Sequence, residues 1–255
     1  NSLVNGKFGD SLSASAGLAM VPMPGGVLMT AISFDRVHER VYRLPVPFEA
    51  VHLNERSAEV RAATEGLSPC VVAHTGDGVE VAVTYLEMTA RPGYPRPHLP
   101  AGPVAALIGA DRPPVWYFLT LYDAVGRDHE WTDMRVAGEE EVSAFLHDPA
   151  VTLYTFIRDG WPAGFFVLDS RTPDRCNLAY FGLVPEAIGR GLGTFLLQTA
   201  VHMAWDRPGV SLVTVNTNSL DHVRALPLYQ RAGFAPVRRE TLRRILSRDR
   251  DVIEA

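Results

Sequence analysis

Three glycines at alternate positions, Gly189, Gly191 and Gly193, stand with Arg190, Leu192 and Thr194 just ahead of a helix-period apolar run from Phe195 to Trp205. Glycines here let the backbone turn sharply with its N–H groups exposed, and the positive end of the following helix faces the same space. A pyrophosphate suits such a cradle, although an ordinary strand-to-helix turn would carry the same residues. A P-loop needs Lys after its final glycine, and Lys7 is the one lysine in the chain. A dinucleotide fingerprint needs Gly where Thr194 stands and an acidic residue about 20 positions on, beyond a second strand. Asp206 comes too early for that role.

The second chemical segment follows a strand expected at Val210 to Val215 and runs from Asp221 and His222 through Ala225, Leu228 and Tyr229 to Gly233 and Phe234. Together the two segments resemble the acyl-CoA-binding half of the GNAT superfamily of N-acetyltransferases. Gly191 and Gly193 match the family's loop glycines, and Ala225, Leu228, Tyr229, Gly233 and Phe234 match its next helix. Two departures stand out: Ile188 replaces the Gln or Arg that usually opens the loop, and His222 stands where Asn often precedes the tyrosine by seven residues.

The resemblance implies acetyl-CoA as acyl donor, with no metal. It places the pyrophosphate on Gly189, Arg190, Gly191, Leu192, Gly193 and Thr194, and the pantetheine arm in an opening bounded by Phe181 to Val184 and Val213 to Asn216, with Leu183 and Val184 in contact. Tyr229 would donate a proton to the departing sulfur; the alternative is a core tyrosine on an amphipathic helix. An alkylamine acceptor is almost wholly protonated at neutral pH, so a base is useful. Asp169, His222 and Glu87 are the candidates, each with a plain surface or turn role as the alternative. The acceptor pocket is expected from the first helices, with Tyr117, Tyr122 and Trp131 foremost and Trp116, Asp123 and Glu130 nearby. A small-molecule or peptide amine fits that mixture of rings and carboxylates. A catalytically degenerate acyl-CoA-binding module remains the other reading.

These groups need a scaffold, and the chain can supply one: 255 residues, 47% of them hydrophobic, suffice for a sizeable core. The formal net charge of −5 argues against nucleic acid as the main partner. Cys70 and Cys176 are too few for a disulfide framework or a zinc-finger set. The apolar stretch from Leu12 to Phe34 is broken by Pro22, Pro24, Gly25 and Gly26, so no membrane span is expected and the default location is the cytoplasm.

The expected fold is α+β, a mostly antiparallel twisted sheet flanked by helices, with an N-terminal extension. Residues 1–78 read as that extension, an accessory layer, a dimerisation arm or partly disordered chain; 79–248 as the acyltransferase-like domain; 249–255 as a tail. Extended stretches are expected at Val27 to Phe34, Val41 to Leu53 and Val79 to Met88, with a short helix between Ser57 and Gly66. Arg91 to Pro103 reads as a Pro-rich connection. Helices are then expected from Val115 to Val125, stopped by Gly126, and from Glu139 to Leu146. Strands follow at Val151 to Ile157 and Ala163 to Leu168, joined by Asp159-Gly160, and at Cys176 to Val184.

Overall fold

A computed structural model of the chain describes residues 16–23, 26–33, 40–44 and 70–253, with side chains over 73–249. The helix expected between Ser57 and Gly66, and the Val41 to Leu53 stretch beyond Leu44, lie outside the described residues. The chain divides into two compact units, one of residues Asn1–Val79 and Ile245–Ala255, the other of Glu80–Arg244.

In the first unit, strands β1 (Ala16–Met23), β2 (Gly26–Ser33), β3 (Arg40–Leu44) and β4 (Cys70–Ala73) lie in one sheet in that order. Pro22 and Gly26, two of the residues that break the apolar stretch, lie at the end of the β1–β2 ladder, where Met23 pairs with Gly26 and Pro22 with Val27. The last residues, expected as a tail, include a strand, Arg250–Ile253, antiparallel to β4.

The second unit begins with β5 (Gly78–Met88) and β6 (Ala105–Ala110). Then come α1 (Val115–Gly126), α2 (Asp133–Ala137) and α3 (Glu139–Leu146). An antiparallel ladder of β7 (Val151–Arg158), β8 (Trp161–Asp169) and β9 (Arg175–Leu183) leads into α4 (Leu192–Trp205). The unit closes with β10 (Leu212–Asn218), α5 (Ala225–Arg231) and β11 (Ala235–Ile245). The sheet order is β11-β5-β10-β9-β8-β7-β6, with β9 and β10 parallel and β5 antiparallel to β10. This is the mixed α+β architecture that the sequence leads one to expect. No helix among the described residues is long and apolar enough to cross a membrane.

Local chemistry explains the elements that position the cleft. In α1, Phe118, Leu121, Tyr122 and Val125 are buried at the i, i+3, i+4, i+7 spacing of one helix face. Burying each such side chain contributes about 1.5–3 kcal/mol. Gly126 does more than end the helix: a Cβ there would lie 2.4 Å from the Trp131 ring. The β7–β8 turn has Asp159 at φ 55° and Gly160 at φ 86°, the paired left-handed conformation of a tight hairpin. On α4, Leu192, Leu196, Leu197, Ala200, Val201 and Ala204 are buried, fixing the helix so that its N-terminus meets the end of β9.

Candidate active site

β9 and β10 pair over three positions, Arg175 with Leu212, Cys176 with Val213 and Asn177 with Thr214, and then part. Beyond that point β9 stays on β8 and β10 stays on β5. A bulge lies at the fork, since Tyr180 faces Val167 and Leu178 faces Leu168, which leaves Ala179 as the extra residue. Bulges bend the strand that carries them. The parted strands form the walls of a cleft of about 670 Å³. The opening runs along Leu178 to Leu183 on one side and Val215 to Asn218 on the other. Val213 and Thr214, expected in it, are instead paired to β9.

At the end of β9 the chain makes a short 3-10 turn, Pro185–Ala187, and enters the glycine loop. Gly189 has φ 83° and Gly191 has φ 74°, and a Cβ built on either meets nothing within 4 Å. Gly191 is the N-cap of α4, which has no side-chain cap. The first N–H groups of a helix have no intrahelical partner, so here they are available to a ligand in front of the loop. Leu183, Gly189, Gly191, Gly193 and Thr194 line the cleft, and so does Ile188.

Three other expected cofactor residues are not in that lining. Val184 is buried, donates its N–H to Ala163 O at 3.1 Å, and borders a separate recess with Trp161 and Glu186. Leu192 packs into the core, and Arg190 is exposed.

Tyr229 lines the cleft from α5 while 94% of its surface is covered, against Phe181 at 6.0 Å and Phe234 at 6.1 Å between ring centroids. Burial, with a smaller contribution from Asp221, pushes its phenol well above the ordinary tyrosine range. The phenol thus stays protonated at any physiological pH.

Asp221 organises the chain between β10 and α5. Its Oδ2 accepts from Thr217 Oγ1 at 2.7 Å and from the Asn218 N–H at 2.9 Å, and its Oδ1 accepts from Trp131 Nε1 at 3.3 Å. The Trp131 and Tyr122 rings pack 5.4 Å apart at an interplanar angle of 50°, and both line the cleft. His222 lines it too, with its Nδ1 accepting the Arg224 N–H at 3.1 Å. Burial, followed by the charges of His129 and Arg224, lowers the basicity of His222. His129, beside it at 6.3 Å between centroids, is a cleft residue that the sequence did not single out.

Asp169 and Tyr117 are not brought to the cleft. Asp169 ends β8 opposite Asn177, below the fork. Burial pushes its carboxyl up, but hydrogen bonds from Arg171, at 2.7 Å from Nη2 and 3.0 Å from Nε, outweigh this and hold it below the usual range. A carboxylate so engaged is a poor base. Tyr117 turns to β7 and shares a 2.9 Å hydrogen bond with Thr155 Oγ1. Among the described residues no cluster of three His, Cys, Asp or Glu is placed to hold a metal.

Residues 118–234, from the middle of α1 to the residue before β11, match the sequence profile of the Acetyltransferase (GNAT) family. The match covers a GNAT acetyltransferase domain within the chain, over these residues alone. No curated protein matches the chain. Among solved structures, it is similar to a tandem GNAT protein from the clavulanic acid biosynthesis pathway, at 16% identity and TM-score 0.49 over 94% of this chain and 84% of that one. A GCN5-related N-acetyltransferase from Kribbella flavida is similar at 20% identity and TM-score 0.43, over 86% of each chain. A conserved protein of unknown function from Staphylococcus epidermidis ATCC 12228 is similar at 12% identity and TM-score 0.45, over 64% of this chain and 61% of that one.

Proposed function

We propose that this protein is an N-acyltransferase that moves an acetyl group from acetyl-CoA to a primary amine by direct attack in a ternary complex. The observation that carries the reading is the parting of β9 and β10 after Asn177 and Thr214, with the uncapped α4 N-terminus at one end of the cleft and Tyr229 in its wall. Each part suits one portion of the donor. The loop from Gly189 to Thr194 offers backbone N–H groups to a pyrophosphate. The β9 edge beyond Asn177, which has no partner strand in β10, offers N–H and C=O groups to the amides of a pantetheine arm. The donor supplies a thioester, whose carbonyl carbon an amine can attack.

In this reading Tyr229 gives its proton to the sulfur as the C–S bond breaks, and its burial keeps that proton in place until then. Tyr122, Trp131 and the two histidines bound the space for the acceptor. The test is calorimetric titration with acetyl-CoA and CoA, followed by thiol release against a panel of amines. Binding with thiol release supports the proposal, and failure to bind removes it. Ile188, which puts an apolar side chain at the loop entrance in place of a polar one, favours the second reading, an acyl-CoA-binding module without turnover. Tight binding with no thiol release for any amine would select that reading.

A further inference from the structure

Two histidines meet in the cleft from opposite sides, and their hydrogen bonds give them different tautomers. His129 lies in the 3-10 turn Arg127–His129 after α1, and its Nδ1 is 3.3 Å from the Leu220 carbonyl oxygen. A carbonyl can only accept, so that contact requires the proton on Nδ1 and leaves the lone pair on Nε2. His222 is the reverse. Its Nδ1 accepts from the Arg224 backbone N–H, so in the neutral ring Nε2 carries the proton. One ring presents an acceptor and the other a donor, 6.3 Å apart at an interplanar angle of 77°. Both rings line the cleft that also holds Tyr229.

We infer that His129, through its bare Nε2, is the base that takes the proton from the acceptor amine, while His222 Nε2–H serves as a donor to the acceptor or to a water beside it. The inference rests on the acyltransferase reading and deepens it. An acceptor that enters as an ammonium ion gives one proton to solvent by way of His129. As the C–N bond forms and the C–S bond breaks, His129 Nε2 takes the second nitrogen proton and Tyr229 gives its own to sulfur. Return of the proton from His129 to Tyr229 through solvent restores both residues. The net change is ammonium plus thioester to amide, thiol and one released proton.

The charged and titratable groups that line the cleft with this pair come from every element around it. Asp221 and Arg224 flank His222 before α5, Arg231 is presented by α5, Asp133 by α2, Tyr85 by β5, Tyr122 by α1, Tyr180 by β9, and Arg244 by β11, where it pairs with Asp133 at 3.1 Å. Asp221 accepts from Thr217, Asn218 and Trp131, and Asp133 pairs with Arg244. Of the two rings, His222 has its unshared pair engaged by the Arg224 N–H, whereas that of His129 accepts no hydrogen bond from the described residues.

Two measurements test this. Long-range proton–nitrogen spectra of protein labelled with 15N-histidine, assigned with His129→Gln and His222→Gln, should show His129 as the Nδ1–H tautomer and His222 as the Nε2–H tautomer. The opposite assignment for His129 overturns the inference. Thiol release from acetyl-CoA, with water or a panel amine as acceptor, should fall about 100-fold or more in His129→Gln while acetyl-CoA binding is kept. Unchanged thiol release in His129→Gln removes the base but leaves the acyltransferase reading intact. Wild-type protein that fails to bind acetyl-CoA, or releases no thiol at all, removes both.

Discussion

Thr214 Oγ1 donates to Asn177 Oδ1 at 3.0 Å, joining β10 to β9 at the last pair before the strands part. Above this link there is a cleft and below it a sheet. The bond closes the fork but does not create it, since the bulge at Ala179 and the separate ladders to β8 and β5 set the divergence. Thr214→Val should therefore lower stability by about 1 kcal/mol, because Asn177 loses a donor in a half-buried place. Acetyl-CoA affinity should change little. Urea unfolding and calorimetric titration of the same variant check both halves; a large affinity loss with normal stability would make Thr214 a ligand contact instead.

Gly191 and Gly160 provide a matched pair of substitutions. Both have left-handed backbone, at φ 74° and 86°, and in both the space for a Cβ is open within 4 Å. Alanine at either position should cost about 1–2 kcal/mol of stability through conformation alone. Gly160 lies in the β7–β8 hairpin and Gly191 in the cleft wall, so Gly191→Ala alone should weaken acetyl-CoA binding. Equal dissociation constants for the two variants would mean that the pyrophosphate does not sit on the loop.

Tyr229→Phe removes a hydroxyl and keeps the ring that packs on Phe181 and Phe234. Turnover should fall about 100-fold, with acetyl-CoA affinity retained. Equal turnover in steady-state assays of thiol release would leave Tyr229 a core residue, the other role that its helix position allows.

Much of this arrangement is legible in the sequence because local chemistry decides it. Alternate glycines before an apolar helix, Asp-Gly between two apolar runs, and the periodic α1 face each specify one conformation. The elements that escaped lack such signals. β6 is a short sheet-edge strand, Ala105–Ala110, entirely apolar and without polar alternation. α2 is five residues long and has no side-chain cap. β11 is exposed along nearly its whole length, so Arg-rich sequence there shows no buried face.

Site residues divide on the same principle. Gly191 and Tyr229 belong to contiguous motifs, whereas His129 meets Leu220 across 91 residues of chain and becomes a cleft residue only through the fold. Asp169 looked available at a strand end until Arg171, two residues on, captured it. Tyr117 and Tyr122 sit on one helix, yet one ring turns to Thr155 and the other to the cleft, a choice made by packing.

Alkaline pH should unfold this protein through the buried phenols of Tyr122 and Tyr229 and the partly buried one of Tyr180. Burial raises Tyr122 to about 12 and pushes Tyr180 and Tyr229 higher still. A folded-state value above the unfolded one means that the native state prefers the neutral phenol while the unfolded chain ionises near 10. The stabilisation is therefore whole below about pH 10 and is lost as pH climbs through the Tyr122 value. Urea midpoints measured at pH 9 and pH 11 should fall, and Tyr122→Phe should show a smaller drop than wild type over that interval. A wild-type midpoint that stays flat to pH 11, or a variant that falls as steeply, would mean that water reaches these rings in the folded state and that the aromatic wall of the cleft is more open than its packing indicates.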